Sequence, residues 1–350
     1  MSAGDKFLSV IIPVHNTGKY LARCLDSVAA MPIEDLEIIL VDDGSDDGSG
    51  TVCDRYRDGD ARFRVIHQDN LGVSTARNTG LTAAVGEVVA FFDSDDYISP
   101  GDFFDVTEKL RADPAMDFLI TDFDRVTEEG IVRERIRQIR ETDEPMSGYV
   151  GRDEFFVSGE NFWNVWRCVF RRSFLLEHGL DFDRGVSCAE DLKFMVRAFL
   201  CAENAVFWHK PFYHYMVNYG ATLSFTYSYQ RMRDVISMLR WSLEQTKKGD
   251  GFVLRMTDIL THEFFLNLPL LRLVPEEERT AVKKLLEDNL DLLLYSQKRV
   301  YPIAYSMIRI LGLPLSCRIL YVFKACKSGF KTLRQGKGQR QGGNSFVQTS

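Results

Sequence analysis

Two acidic clusters each follow an apolar, β-branched run, and this feature constrains the fold of the chain more than any other. The run at 37–41 is followed by Asp-Asp-Gly-Ser-Asp-Asp-Gly at 42–48, and the run at 88–92 is followed by Asp-Ser-Asp-Asp at 93–96. Apolar residues at helical spacing lie between the two runs. Strands that alternate with helices predict a parallel sheet covered on both faces. Ligands of such sheets bind at the carboxyl ends of the strands, which is where both clusters fall.

The remaining pattern divides the chain into four regions. Residues 1–100 hold the predicted strands 8–12, 37–41, 63–66 and 88–92 and the predicted helices 20–29, 52–57 and 73–84. Residues 101–225 are less regular, with strands expected near 118–121 and 205–207 and a helix over 190–201. Residues 226–298 have a helical pattern broken at 247–251, Pro269 and Pro275, and residues 299–350 form a basic tail.

Charge separates this tail from the rest of the chain. The 350 residues carry 43 Lys and Arg against 50 Asp and Glu, a net charge of -7, yet residues 299–350 contain nine basic residues and no acidic ones. The acidic body argues against binding to nucleic acid. From Ile319 onward, apolar side chains share one helical face beside a row of lysines, which is typical of a helix on an anionic membrane surface; a core-packing helix is the alternative. Residues 335–344 are rich in Gly and Gln, and we expect them to be disordered.

The cellular location is predicted from targeting signals and cysteines. No uncharged apolar run reaches about 18 residues, so no spanning helix is expected. The amino terminus lacks the basic and apolar regions of a signal peptide. The seven cysteines are scattered, with no pair at a metal-ligand spacing, which is typical of reduced thiols. We therefore expect a cytoplasmic protein whose tail contacts the inner face of the cell membrane.

The second acidic cluster has the spacing of a cation site. Asp93 and Asp95 are separated by one residue, so their side chains point the same way if the segment is extended. Two carboxylates can bind one hard cation, which in turn can hold phosphate oxygens. Acidic residues also favour ordinary turns after strands, which is the alternative. The helix at 73–84 opens on Gly72 and carries Arg77, and its occurrence together with both clusters favours a site.

Four segments occur in an order that resembles one enzyme family. The stretches LSVIIPVHN, ILVDDGSDDGS, NLGVSTARNTGL and GEVVAFFDSDDYISP resemble the nucleotide-sugar-binding half of the family 2 glycosyltransferases, and NVWRCVFRRSFL and AEDLKF resemble, more weakly, the acceptor half. The resemblance covers residues 1–225 and implies the GT-A fold, an α/β fold with a Rossmann-like, mainly parallel sheet between helices. Residues 1–100 would form the donor half and residues 101–225 the acceptor half. The α-helical C-terminal region lies outside the resemblance.

The resemblance also implies a donor site at the ends of the predicted strands. Its donor-binding residues would be Pro13, His15, Asp42, Asp43, Gly44, Arg77 and Asp93. Asp95 would be the principal protein ligand of a Mn²⁺ or Mg²⁺ ion, with Asp93 beside it. A donor diphosphate carries about two negative charges, so a cation between it and the carboxylates agrees with the chemistry.

Glu190 and Asp191 form the second candidate site. They open a predicted helix, where a carboxylate interacts favourably with the helix dipole, so an ordinary acidic first turn is the alternative. The resemblance implies that Asp191 is the catalytic base, that Glu190 positions the acceptor hydroxyl, and that the reaction inverts configuration in a single displacement. Trp163 and Trp166 could stack on an acceptor sugar, although core packing suits their spacing at least as well.

The sequence therefore predicts an inverting, metal-dependent glycosyltransferase with a nucleotide-diphosphate sugar donor, foremost a UDP-sugar. The expected acceptor is a saccharide, with a lipid-linked saccharide in surface polysaccharide or glycan synthesis as the form that suits a membrane-binding tail. A sugar nucleotidyltransferase would need a glycine-rich, basic loop after the first strand, where this chain has Pro13-Val-His-Asn. A catalytically silent saccharide-binding or scaffold protein is disfavoured because both carboxylate pairs are intact.

Overall fold

The structure is a computed structural model that describes residues 6–137, 148–149, 163–186, 190–217, 228–246, 251–296 and 298–321. The chain divides into two compact units, residues 1–225 and 226–350. The first is an α/β unit built on one sheet, and the second is helical. The α/β class and the helical C-terminal region expected from the sequence are confirmed.

The described strands of the first unit form one mixed sheet. They are β1 (Leu8–Val14), β2 (Leu36–Asp43), β3 (Phe63–Gln68), β4 (Val88–Phe91), β5 (Tyr97–Ile98), β6 (Phe118–Val126), β7 (Val132–Ile136), β8 (Gly148–Tyr149), β9 (Cys168–Arg171) and β10 (Ala205–Met216). The order is β3-β2-β1-β4-β9-β6-β10-β5, with β7 beside β6 and β8 beside β10. The four strands β3-β2-β1-β4 pair in parallel, whereas β9 is antiparallel to both β4 and β6.

Helices connect these strands and make up the second unit. In the first unit they are α1 (Gly18–Ala29), α2 (Ser49–Gly59), α3 (Val73–Ala83), α4 (Pro100–Ala112), α5 (Arg172–Glu177) and α6 (Glu190–Cys201), with a 3₁₀ turn at Val165–Arg167. In the second unit they are α7 (Tyr229–Thr246), α8 (Gly251–Asn267), α9 (Glu276–Glu287) and α10 (Val300–Leu311), with 3₁₀ segments at Leu268–Leu273 and Leu290–Leu294 and further helix at 313–321. Pro269 lies at the start of a 3₁₀ segment and Pro275 just before α9, positions where the missing N–H costs no helical hydrogen bond.

The central strands β1 and β2 are buried along their whole length. A strand covered on both faces has no polar side, which is why these segments read as apolar runs. Beside them, α1 packs an apolar stripe that includes Leu21 and Leu25 into the core. The carboxyl ends of β1, β2 and β4 lie at one edge of the sheet, so the loops at 15–17, 44–48 and 92–96 begin there.

β1 does not stop at Pro13, as the sequence suggested, but continues to Val14. The carbonyl of Ile11 accepts a hydrogen bond from the Phe92 N–H at 3.0 Å, so the polar groups of Ile11, and two residues later those of Pro13, face β4. The pairing of β1 with β4 ends at Ile11 and Phe91. Pro13 therefore removes no ladder hydrogen bond, and the strand tolerates it.

The last described helices belong to the core of the second unit. Their buried residues are Tyr301, Ala304, Ile308, Leu313 and Cys317. The region from Arg299 onward was expected to be a separate basic tail, but its first part is core, because one face of each helix is apolar and packed. Residues 322–350, which include the low-complexity stretch 335–344, lie outside the described residues. Within the described ranges, no helix is both long and apolar enough to span a membrane.

Close packing of α3 on β1 gives a test of the fold. A Cβ at Gly80 would lie 2.3 Å from Cγ2 of Ile11, whereas a Cβ at Gly101, in the first turn of α4, would meet nothing within 4 Å. We expect Gly80→Ala to lower the free energy of unfolding by about 1–3 kcal/mol, because Ile11 must shift within a packed core. Gly101→Ala should raise it by about 0.4–1 kcal/mol, because alanine restricts the unfolded chain. Urea unfolding measures both, and equal stabilities would contradict the packing of α3 on β1.

Candidate active site

The guanidinium of Arg77, on α3, joins the two halves of the predicted site. Its Nη2 donates to Oδ1 of Asp93 at 2.9 Å, and its Nη1 donates to Oδ1 of Asp191 at 2.8 Å and to Oε1 of Glu190 at 3.0 Å. Only 3% of the Arg77 side chain is exposed. Two acidic motifs that are far apart in the sequence therefore converge on one buried side chain.

Three carboxylates thus surround one cation. Burial by itself lowers the pKa of Arg77, but the charges of Asp191, Asp93 and Glu190 outweigh burial and raise that pKa, so Arg77 stays protonated. The Phe182 ring lies 5.1 Å from the guanidinium carbon and adds a favourable cation–π contact. With all three carboxylates ionised, negative charge exceeds positive charge in this cluster, which favours the binding of a further cation.

α3 also holds the segment that leads to α6. The side chain of Asn78 donates to the carbonyl of Phe182 at 2.7 Å and accepts from the N–H of the same residue at 2.9 Å. The hydroxyl of Ser74 donates to the carbonyl of Val186 at 2.9 Å. Sequence reasoning missed the role of Asn78, because its partners are backbone groups that have no residue-type signal.

Asp191 has the electrostatic environment of a general base. Its Oδ2 accepts from the N–H of Val165 at 3.2 Å, while its Oδ1 accepts from Arg77. Burial, together with the negative charges of Glu190 and Asp93, outweighs these two contacts and raises the pKa of Asp191 to about 7. A base whose pKa lies near the working pH is substantially ionised and still able to take a proton.

The segment from Asp93 to Asp96 is a turn, not the extended segment assumed from the sequence. The N–H of Asp96 donates to the carbonyl of Asp93 at 3.2 Å and closes the turn. Tyr213, on β10, supports it: its hydroxyl accepts from the Asp93 N–H at 3.1 Å and donates to Oδ2 of Asp96 at 2.8 Å. The other oxygen of Asp96 accepts from the N–H of Met216 at 2.7 Å. Asp96 is therefore a buried, fully paired support, and Tyr213 is a residue of the site that the sequence did not reveal.

Asp95 is the carboxylate of this turn that is left available. Apart from its own backbone N–H, it has no hydrogen-bond or ion-pair partner among the described residues. Burial and the neighbouring charge of Asp93 raise its pKa to about 6. The described ranges contain no cluster of three metal-ligating side chains, but Mg²⁺ usually takes one or two carboxylates and completes its shell with phosphates and water. Asp95 and Asp93 fit an ion bound in that way.

Asp42, at the end of β2, is buried with both oxygens engaged. Oδ1 accepts from the N–H of Ser45 at 3.1 Å, and Oδ2 lies 2.8 Å from Nδ1 of His67. Burial by itself raises the pKa of Asp42, but the hydrogen bonds from Ser45 and His67 lower it overall, and the carboxylate raises the pKa of His67 in turn. A Cβ at Gly50 would lie 2.5 Å from Oδ2, so only glycine allows α2 this approach. His67 was in no sequence-based cluster, yet it is the partner of a candidate residue.

Asp43 organises the loop that precedes α3. Its Oδ1 accepts from the side chain of Gln68 at 2.6 Å and from the N–H of Leu71 at 2.9 Å, and its Oδ2 accepts from the N–H of Gly72 at 2.8 Å. Only 3% of Asp43 is exposed. Because successive strand residues point to opposite faces, Asp42 and Asp43 serve different segments and do not line one surface together.

The loops after β1 and β2 are tied to each other. Nδ1 of His15 donates to the carbonyl of Asp43 at 2.9 Å, and Nε2 of His15 lies 3.4 Å from the side-chain Nδ2 of Asn70. Gly44 has a φ of +69°, and a Cβ there would lie 2.8 Å from the backbone nitrogen of Asn70, so the turn requires glycine. His15 is exposed at this edge, whereas Pro13 is buried within β1 and contributes backbone shape only.

Trp166 is a core residue, which corrects its candidacy as a platform for an acceptor sugar. It is 3% exposed, and its ring stacks on Tyr213 and Tyr215 with centroids 4.4 and 5.5 Å apart. Phe123 packs edge-on against it at 4.7 Å. A ring packed in this way has no free face for a sugar. Trp163 is half-buried, just before the 3₁₀ turn, and stays a candidate.

Comparison with known proteins finds glycosyltransferases that resemble this chain. Residues 9–175 match the family model described as Glycosyl transferase family 2. The first unit therefore contains a domain similar to the family 2 glycosyltransferases. EpsJ of Bacillus subtilis, described as an uncharacterized glycosyltransferase, is 34% identical over 215 residues, which are 60% of this chain and 61% of EpsJ. The poly(ribitol-phosphate) beta-glucosyltransferase of Bacillus spizizenii is 29% identical over 255 residues, which are 69% of this chain and 38% of that protein.

A solved structure shares the fold of this chain. Residues 1–349 of S. aureus TarS, crystallised in complex with UDP-GlcNAc, match with a TM-score of 0.70 at 20% identity, covering 91% of this chain and 92% of that one. This likeness confirms the GT-A fold. The family match ends at residue 175, before Glu190 and Asp191, so their place in the site rests on their contacts with Arg77.

The environment of Asp191 predicts a variant that gains stability. Its pKa of about 7 in the folded chain exceeds the value of about 4 for an unfolded aspartate, so ionisation costs the folded state free energy as the pH rises from about 4 to 7. Asp191→Asn removes that cost. It should raise the free energy of unfolding by about 1 kcal/mol or more at pH 8, and by less at pH 5.

Thermal unfolding at the two pH values measures this difference. Asp181→Asn is the control, because the Asp181 side chain is 64% exposed and its loss should change stability little at either pH. A lower stability of Asp191→Asn at pH 8 would mean that the contact with Arg77 outweighs the cost of burial, contrary to the prediction.

Proposed function

We propose that this chain is an inverting, metal-dependent glycosyltransferase that moves a sugar from a nucleotide-diphosphate donor to a hydroxyl of a saccharide. The observation that carries the proposal is the arrangement of Asp93, Glu190 and Asp191 around the one guanidinium of Arg77. Transfer requires a diphosphate site and a base within reach of the same anomeric carbon. Arg77 links a carboxylate suited to the first task with two suited to the second. The match of residues 9–175 to a glycosyltransferase family model supports this reaction class.

Asp191 is the base in this proposal. In a single displacement the acceptor oxygen forms a bond to the anomeric carbon while the bond from that carbon to the diphosphate breaks, and the nucleoside diphosphate leaves with the bonding electrons. The hydroxyl proton passes to Asp191, whose pKa of about 7 makes it a stronger base than an ordinary aspartate. Glu190 shares Nη1 of Arg77 with Asp191, which supports its proposed role in positioning the same hydroxyl.

Asp95, with Asp93, is the proposed holder of Mn²⁺ or Mg²⁺. When bound, such an ion supplies positive charge that offsets the negative charge on the departing nucleoside diphosphate. Asp95 is assigned as the principal ligand because Oδ1 of Asp93 is already bound by Arg77.

The nucleotide is proposed to bind at the carboxyl edge of β1 and β2. The exposed imidazole of His15 and the peptide groups around Gly44 are available there, on a frame that the buried Pro13, Asp42 and Asp43 hold in shape. A UDP-sugar is the proposed donor, and the complex of TarS with UDP-GlcNAc supports that choice by likeness of fold.

The proposed acceptor is a saccharide of a surface polysaccharide or glycan, in a lipid-linked form. The activity that names the related poly(ribitol-phosphate) beta-glucosyltransferase supports a surface polymer as the class of acceptor. Trp163 is the proposed aromatic contact for the acceptor sugar. The excess of basic residues over 299–350 supports a location in the cytoplasm at the inner face of the membrane.

Removing the charge of Asp95 tests the metal assignment. Asp95→Asn keeps the size of the side chain but not its charge, so it should weaken the binding of UDP in the presence of Mn²⁺ by about tenfold or more. Calorimetric titration measures this affinity. Asp105→Asn, which removes a 49% exposed carboxylate elsewhere in the same unit, should leave it unchanged. Undiminished turnover of the wild type in excess EDTA would refute metal dependence.

Replacing Asp191 tests the chemical step. Asp191→Asn cannot take a proton, so we expect turnover to fall by at least about a hundredfold while donor affinity changes little. Glu190→Gln should instead raise the KM for the acceptor. In the wild type, kcat/KM should rise with pH through about 7, because the ionised form of Asp191 is the active one.

Initial rates against donor and acceptor concentration separate these effects. If Asp191→Asn keeps more than about a third of wild-type turnover, the base lies elsewhere, with Glu190 the next candidate. If the wild type binds saccharides but transfers no sugar from any donor in a panel of nucleotide sugars, the chain is a silent saccharide-binding protein.

A further inference from the structure

A pocket in the second unit has the features of a ligand site. Its volume of about 520 Å³ lies within the range of small-molecule sites. Leu271, Pro314, Cys317 and Tyr321 give it apolar walls. Leu271 and Cys317 are only 7% and 6% exposed, so part of the wall belongs to the packed core of the unit. The proposed transfer reaction uses none of these residues.

Three arginines line the same pocket: Arg272, Arg279 and Arg318. Among the described residues, none of the three arginines forms an ion pair with a carboxylate, including the glutamates in the first turn of α9. Arg279 donates to the carbonyl of Val274 at 3.1 Å. The guanidinium of Arg272 lies over the Tyr321 ring, 3.4 Å from its centre, which orients its planar fork of N–H donors. The pocket therefore combines apolar walls with cations that have no anionic partner.

We infer that this pocket binds the phosphate head group of an anionic membrane lipid, with the adjoining hydrocarbon against the apolar walls. Guanidinium groups bind phosphate oxygens through paired, charge-assisted hydrogen bonds. A free phosphate ion would satisfy the arginines but would leave the apolar wall exposed to water. An amphiphile satisfies both parts of the pocket, because burial of its hydrocarbon adds to the binding of its phosphate.

The helix before the pocket supports a membrane as the source of this ligand. α10 leads directly into the helix that lines the pocket, and it exposes apolar side chains at helical spacing: Val300, Ile303, Ile310 and Leu311 are 49%, 68%, 80% and 42% exposed. Neighbouring exposed apolar side chains on one helix face mark an interaction surface. Residues 298–350 contain no Asp or Glu, so a bilayer with anionic head groups complements this region in both polarity and charge.

Charge disfavours the chain's own tail as the occupant of the pocket. Residues 322–350 contain six Lys and Arg and no acidic residue, so they would meet the three arginines with charge of the same sign. Like charges brought together repel unless an anion lies between them. The lipid assignment does not depend on the transfer reaction, and its test uses no sugar donor.

Calorimetric titration of the full chain with monomeric dihexanoyl phosphatidic acid, kept below its critical micelle concentration, tests the inference. We expect binding of phosphatidic acid at least about tenfold tighter than that of dihexanoyl phosphatidylcholine or inorganic phosphate. Equal affinity for phosphatidic acid and inorganic phosphate would overturn the inference, because the pocket would then recognise an ion only. Equal affinity for the two lipids would overturn it as well, because the arginines would then play no part.

Matched variants separate the pocket from general electrostatic attraction. Arg272→Gln with Arg318→Gln should weaken the binding of phosphatidic acid about tenfold or more. Arg299→Gln with Arg309→Gln removes the same charge from residues of this unit that do not line the pocket, and it should leave binding intact. An equal loss in both pairs would overturn the inference. If the first pair lowers thermal stability without ligand, the single variant Arg279→Gln provides the comparison, and unchanged affinity for phosphatidic acid in that variant would overturn the inference too.

Discussion

The first unit depends on the contact between Arg77 and three carboxylates. One buried guanidinium binds Asp93, which follows the parallel part of the sheet, and Glu190 and Asp191, which begin α6. Removing Arg77 would leave buried carboxylates without their shared cation, and an uncompensated buried charge typically costs about 3–5 kcal/mol. α3 must therefore be placed accurately, and the loop at its start is fixed by the three hydrogen bonds that Asp43 accepts. The carboxylate of Asp43 thus fixes the start of the helix from which Arg77 reaches both acidic motifs.

The same cluster is not arranged for maximum stability. The pKa values of Asp191 and Asp95 are raised to about 7 and about 6, so ionising either group costs the folded state free energy. Such costs concentrate at functional sites, where a charge is needed for binding or proton transfer. A protein that only packed or bound neutral saccharides would be more stable with amides at these positions. The retained carboxylates therefore favour a site that binds a cation and moves a proton over a silent one.

The parallel part of the fold was predictable because strands buried on both faces read as uninterrupted apolar runs. The sequence-based predictions were wrong where a distant element determines the local structure. β1 continues past Pro13 because its pairing with β4 has already ended. The segment 93–96 is a turn that Tyr213, on another strand, holds through hydrogen bonds. Both acidic motifs of the site could be read from residue types and spacing, but their meeting on Arg77 requires the fold. The spacing between Trp163 and Trp166 suits a core or a surface equally well. Trp166 is buried by the rings of Tyr213 and Tyr215 on β10, and no local sequence pattern reveals that contact.

Charge averaged over the chain conceals two opposite local excesses. The site around Arg77 has more carboxylates than cations, whereas the pocket in the second unit has arginines with no carboxylate partner among the described residues. In our two proposals a ligand of the opposite sign offsets each excess: a metal ion at the first site and a phosphate at the second. Composition could not separate the helix at 313–321 from the residues that follow it, because both segments combine apolar and basic residues. The burial of Cys317 shows that the helix at 313–321 belongs to the core of the second unit. Its neighbour Arg318 lines the pocket, so successive residues of one helix contribute to the fold and, in our inference, to ligand binding.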